Sequence, residues 1–107
     1  MTEGMAIEIA KHQMRDTGVG CEYLLRFRHL ILKPAETRVF ESPSELIILL
    51  SPLGNIRVLS NAGFYEITNT PNEVQYVHSG HVQIINLEFK LFTHVKILQV
   101  IPRTINT

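Results

Sequence analysis

From residue 23 onward the sequence is cut into short runs of β-branched, aromatic and aliphatic residues, each closed by proline, glycine, asparagine or serine. Parallel strands need a connection of a dozen or more residues, usually a helix. The gaps between these runs are shorter than that. The strands must therefore pair mainly antiparallel. Many short strands at even spacing predict an all-β sandwich or barrel.

Residues 23–33 carry Tyr23, Leu25, Phe27 and Ile31 at odd positions, with Arg26 and Arg28 on the other side. Lys33-Pro34-Ala35-Glu36 ends this strand, because proline has no amide N–H for a ladder. Residues 37–40 form a short strand and 41–44 a turn. Residues 45–51 are the most apolar run and predict a central strand buried on both faces. Pro52-Leu53-Gly54-Asn55 turns the chain into residues 56–60, where Ile56 and Val58 alternate with Arg57 and Leu59. Asn61-Ala62-Gly63 is a hairpin turn into 64–68. Breaks at 69–72 and at Ser79-Gly80 bound strands at 73–78 and 82–87. The last strand covers 93–101 and is expected to stop at Pro102. That makes about eight strands.

Residues 1–22 differ from the rest. Met5, Ile7 and Ile9 alternate as in a strand, while Ala6, Glu8, Lys11, Gln13 and Met14 suit a helix. Strand and helix both stand. Asp16-Thr17-Gly18-Val19-Gly20 reads as a joint. The chain is thus divided into an N-terminal arm, 1–22, and a β domain, 23–107. An arm of this kind packs on a partner subunit or frays.

Composition limits the function classes. A 107-residue chain has room for one domain. Its apolar fraction of 45% argues against disorder. Ten basic and ten acidic residues cancel, and the densest basic spot is Arg26, Arg28 and His29. A nucleic-acid binder needs a basic stripe, so that class is not expected. Zero net charge leaves copies free of mutual repulsion, and a homodimer or larger homo-oligomer is expected. The single Cys21 excludes an internal disulfide and a multi-cysteine metal site, and fits a reducing, cytoplasmic location. The N-terminus lacks the basic-then-apolar order of a signal peptide. The longest apolar run, residues 46–50, is far below the ~20 residues of a membrane helix.

Residues 30–103 resemble a small cupin, a jelly roll of two packed sheets. The resemblance is carried by Leu32-Lys33-Pro34-Ala35-Glu36, where the family has an apolar strand and a turn ending in glutamate. It continues with Glu45 heading the apolar run to Gly54, and with Tyr76-Val77-His78-Ser79-Gly80-His81-Val82-Gln83-Ile84-Ile85-Asn86. It closes on Val95-Lys96-Ile97-Leu98-Gln99-Val100-Ile101-Pro102. The resemblance implies a cupin-like scaffold. It does not carry over the family's metal. The family's paired histidines fall on Val39-Phe40-Glu41-Ser42-Pro43, and its later histidine falls on Gln83.

Candidate chemistry is sparse. No Gly-x-Ser-x-Gly elbow and no glycine-rich phosphate loop is present. The histidines are His12, His29, His78, His81 and His94. No metal is favoured and no cofactor is expected. If a divalent ion is bound, His78, His81, His29 and Glu45 are its expected ligands. Should the barrel mouth take a small ligand, the inward polar residues expected there are Glu45, Arg57, Tyr76, Gln83 and His29. Glu45 and Arg57 are alternatively a structural ion pair. The expectation is a non-catalytic ligand-binding or structural, self-associating module. The competing expectations are a cupin-type metal-dependent isomerase or dioxygenase with an atypical ligand set, and a structural subunit of an assembly such as a phage or capsule.

Overall fold

The computed structural model describes residues 2–15, 21–41, 45–50, 54–67 and 76–104. One helix, α1 (Glu3–Arg15), precedes eight strands. These are β1 (Cys21–Leu32), β2 (Thr37–Phe40), β3 (Leu46–Leu49), β4 (Ile56–Ser60), β5 (Gly63–Ile67), β6 (Val77–Ser79), β7 (Val82–Asn86) and β8 (Thr93–Thr104). The expected joint at 16–20, the expected breaks at 42–44, 52–53 and 69–72, and the expected strand residues 51, 68 and 73–75 lie outside the described residues.

All pairing is antiparallel, as the short connections require. Strand β1 pairs with β8, β2 with β7, β3 with β6, and β4 with β5. The chain is in effect one long hairpin whose apex is the Asn61-Ala62 turn. The β3/β8 and β4/β7 pairings fold that hairpin into two sheets. Sheet A has the order β1-β8-β3-β6 and sheet B the order β2-β7-β4-β5. The two sheets form a sandwich. Among the described residues no hydrogen-bonded pairing joins an edge of one sheet to the other, so the alternative of a closed barrel is not realised.

Period-two alternation builds the layer between the sheets. Leu30, Leu32, Ile47, Leu49, Val95 and Ile97 come from sheet A; Phe40, Ile56, Val58, Val82 and Ile84 come from sheet B. Fully burying one such side chain is worth roughly 1.5–3 kcal/mol, so this layer outweighs any single polar contact.

A second apolar layer lies on the outer face of sheet A and decides the state of the arm. Ala6 and Ala10, four apart and so on one helix face, are buried with Ile48, Leu50, Leu98 and Val100. Their small side chains let α1 lie close to the sheet. A strand would have put Met5 inward, yet Met5 is exposed. Thr2 starts the helix: its Oγ1 accepts the Met5 N–H at 3.2 Å and its carbonyl the Ala6 N–H at 3.1 Å. Glu3 in the first turn suits the positive end of the helix dipole. Strand β3 is therefore buried on both faces, by the sandwich core and by α1, as its unbroken apolar run predicts.

Two strands depart from expectation. Strand β8 does not stop at Pro102 but runs to Thr104, with Pro102 opposite Tyr23. Its pairing with β3 ends at Val100, so beyond that point β1 is its only neighbour among the described residues. A proline is tolerated where one side of a strand is open. In β1 the odd residues are not the core face. Leu30 and Leu32 enter the sandwich, while Tyr23 and Leu25 pack toward α1 on the outer face.

Candidate functional site

The alternation that builds the core also fixes where the polar residues stand. On the inner face of sheet A, at the Arg28 end of the core, Gln99 is buried. Its Nε2 donates to Glu45 Oε2 at 2.7 Å and its Oε1 accepts from Arg28 Nη1 at 3.4 Å. The Arg28 guanidinium lies 5.6 Å from the centre of the Phe40 ring. Glu45, Gln99 and Arg28 thus form a chain of mutually satisfied groups.

A second polar cluster ties the sheets together. His78 of β6 is fully buried, and its Nδ1 is 2.6 Å from Ser60 Oγ of β4. The Ser60 hydroxyl also accepts the Ala62 N–H at 3.1 Å. The Tyr65 ring meets the His78 ring edge-on at 5.8 Å, and the Tyr65 hydroxyl donates to the Ala62 carbonyl at 2.8 Å. These groups hold β6 against the β4/β5 turn.

The expected site residues are not brought together. Glu45 faces Gln99, and Tyr76 packs against the inner core. Arg57 and Gln83 sit between buried neighbours on their strands and so face outward from sheet B. Arg57 pairs with Glu66, its cross-strand partner, at 2.6 Å; the expected Glu45–Arg57 ion pair is not formed. Gln83 Nε2 is 3.3 Å from His81 Nε2 at the surface. His29 lies on the outer face of sheet A. The set His29, Glu45, His78 and His81 is spread over an outer face, the inter-sheet layer and an exposed turn. Among the described residues no three His, Cys, Asp or Glu side chains converge as a metal site would need.

Glu36, at the end of the Lys33-Pro34-Ala35-Glu36 turn, is structural. It accepts the Lys33 N–H at 2.9 Å and the Arg38 guanidinium at 3.1 and 2.8 Å. The Lys33 N–H first, and Arg38 second, hold its carboxyl below the usual range.

Three features were not anticipated. The first is Asn86, 2% exposed, at the inward phase set by Val82 and Ile84. Its Nδ2 donates to the carbonyls of Leu32, Lys33 and Leu91, at 3.3, 3.0 and 3.0 Å. Its Oδ1 accepts the Glu88 N–H at 2.9 Å and the Thr93 hydroxyl at 2.7 Å. Asn55 fixes the same loop through Glu88 Oε1 and the Leu87 N–H. A polar residue in the core phase of an alternating strand is the signal that marks it.

The second feature is what that pinned loop displays. Phe89, Leu91 and Phe92 are 84%, 62% and 59% exposed. Phe92 directly precedes β8, whose neighbour β1 carries Phe27 and Ile31, 42% and 51% exposed, on the outer face of sheet A. The third feature lies on the same face, with His29 between Phe27 and Ile31 along β1. His29 Nε2 and His94 Nδ1 are 2.9 Å apart, with the rings 4.9 Å apart and tilted by 49°. Next to the pair, where the start of α1 meets β1 and β8, is a groove of about 200 Å³ lined by Glu3, Phe27, His29, Leu50 and Lys96. Drug-sized ligands occupy pockets of roughly 300–1,000 Å³, so this groove suits a smaller guest.

No family model matches the sequence, and neither the curated proteins nor the solved structures give a match to it.

Proposed function

We propose that this chain is a non-catalytic, cupin-like jelly-roll module that works by self-association through the uncovered half of the outer face of sheet A. The jelly-roll part of the reading is supported by the strand pairing. A jelly roll is a long hairpin wrapped into two four-stranded sheets, and the orders β1-β8-β3-β6 and β2-β7-β4-β5 are those such wrapping produces. The cupin metal does not fit the residues present. Gln83 stands outside the sandwich beside His81, and Glu45 is engaged by Gln99.

One observation carries the functional part: a fully satisfied, buried Asn86 holds a loop whose aromatic side chains point into water. Phe27, Ile31, Phe89, Leu91 and Phe92 together leave on the order of 500 Å² of apolar surface, toward the upper end of the largest patch a monomer shows, where such patches are often functional. With the His29 and His94 imidazoles among them, the patch approaches the ~800 Å² that a stable dimer buries on each partner. A two-fold axis pairs such a patch with itself. Zero net charge removes the repulsion that would oppose it.

Sedimentation or light scattering tests this. The expected mass at ~100 µM is twice that of the 12.2 kDa chain. Phe92→Lys and Ile31→Lys, at exposed positions, should return it to the monomer without loss of fold. A monomeric wild-type chain, or lysine variants that dimerise as well as the wild type, would overturn the reading. A monomer that co-sediments with phosphatidylserine vesicles would give the surface to a bilayer instead.

A further inference from the structure

We infer that His29 and His94 form a two-imidazole site for a divalent transition-metal ion of the Cu²⁺ or Ni²⁺ type, on the outer face of sheet A and apart from the interior position used by cupins. Register places the pair: Ile31 is opposite His94 and His29 is opposite Lys96, so the two histidines lie diagonally across adjacent strands on one face. The strands belong to a continuous twelve-residue ladder, which fixes both Cα positions. Both side chains are exposed.

The two nitrogens stand 2.9 Å apart, within hydrogen-bond distance. An ion set to one side of the line between them, with the rings turned toward it and bonds of ~2.0–2.1 Å to each nitrogen, would see them at an angle of about 90°. That is the cis angle of tetragonal coordination, which Cu²⁺ and Ni²⁺ prefer with nitrogen and oxygen donors. A tetrahedral ion would need the nitrogens about 3.3 Å apart at the same bond length. Among divalent first-row ions Cu²⁺ also binds nitrogen donors most strongly. The Glu3 carboxylate lines the groove beside His29 and offsets the Lys96 ammonium there. The ion's remaining positions face outward, to water or to the same pair on a second copy. Both donors come from one chain, so the monomeric Phe92→Lys variant should bind the ion as well as the wild type, which separates this site from the dimer.

Copper(II) alone is the probe, added to the full chain in a buffer that does not coordinate it. Calorimetry should give one ion per chain, and electron paramagnetic resonance a tetragonal spectrum with two nitrogen donors. His94→Ala and His29→Ala should each weaken binding at least tenfold. His81→Ala and His12→Ala, also exposed, should leave it unchanged. Circular dichroism checks that each variant is folded. Copper held equally well by the His29→Ala/His94→Ala double variant, or a spectrum with a single nitrogen donor, would overturn the assignment. Mass measured without copper reports the dimer, and copper binding by the Phe92→Lys variant reports the site.

Discussion

Replacing Asn86 by alanine tests whether the loop at residues 87–92 is held or merely resting. The amide has two N–H donors and a carbonyl oxygen. It serves three carbonyls and accepts from two donors, so one N–H is shared between the Leu32 and Lys33 carbonyls. Four hydrogen bonds at a net ~1 kcal/mol each set a ceiling near 4 kcal/mol. Lys33 and Leu91 are exposed, so their carbonyls regain water after the change. Thr93 and Leu32 are buried and do not. The expected loss is therefore about 2–4 kcal/mol, or a melting temperature lower by roughly 10–20 °C for a domain this size. Guanidinium unfolding gives the free energy. Amide hydrogen exchange gives the location: Glu88 should lose its protection while the β4/β7 ladder keeps its own. Thr93→Val removes one of the four bonds and should cost about 1 kcal/mol. An Asn86→Ala protein within ~0.5 kcal/mol of the wild type would refute the reasoning. So would a Glu88 amide that exchanges freely before any substitution.

Ser60→Ala removes the inter-sheet contact to the buried His78 and should cost about 1–3 kcal/mol by chemical denaturation. Two backbone substitutions should have opposite signs in the same assay. Gly80 has φ of 79° and an added Cβ would land on the Asn61 side chain, so Gly80→Ala should destabilise by about 1 kcal/mol or more. Ala35 has φ of 60°, so Ala35→Gly should stabilise by a few tenths to 1 kcal/mol. Glu36 governs part of the acid limb. Its folded carboxyl titrates below its unfolded value, so its contribution is present above about pH 4.5 and is lost as pH falls through the lower, folded value. Stability measured from pH 6 to pH 3 should therefore fall more steeply in the wild type than in Glu36→Gln.

The strands were legible because period-two alternation and turn residues are local signals. The bounds of β2 and β4 coincide with those read from the sequence. The arm was not legible, because Met5, Ile7 and Ile9 alternate while Ala6 and Ala10 fit a helix face. Only the outer face of β3 and β8, some forty residues and more away, makes the helix the better burial. The same distance hid the polar partners. Arg57 is claimed by Glu66 and Glu45 by Gln99, choices set by strand register rather than by residue type. His29 and His94 are 65 residues apart, and only the β1/β8 register brings them into contact. Asn86 was visible as an asparagine in an apolar strand. Its role was not, because three of its five partner groups are backbone carbonyls, two of them more than fifty residues away.

The nesting of strand pairs also sets the order in which the protein can be made. Strand β8 sits between β1 and β3, yet it is the last to be synthesised. While the chain is still emerging from a ribosome, the β4/β5 turn can close locally, but β1 and β3 have no shared neighbour and α1 has an incomplete sheet to lie on. Long-range pairing of this kind slows folding, into the millisecond-to-second range for small β proteins. Through all that time the apolar strand β1 presents open edges to whatever else is nearby. A chain stopped short of residue 93 would keep sheet B whole and leave sheet A without its centre.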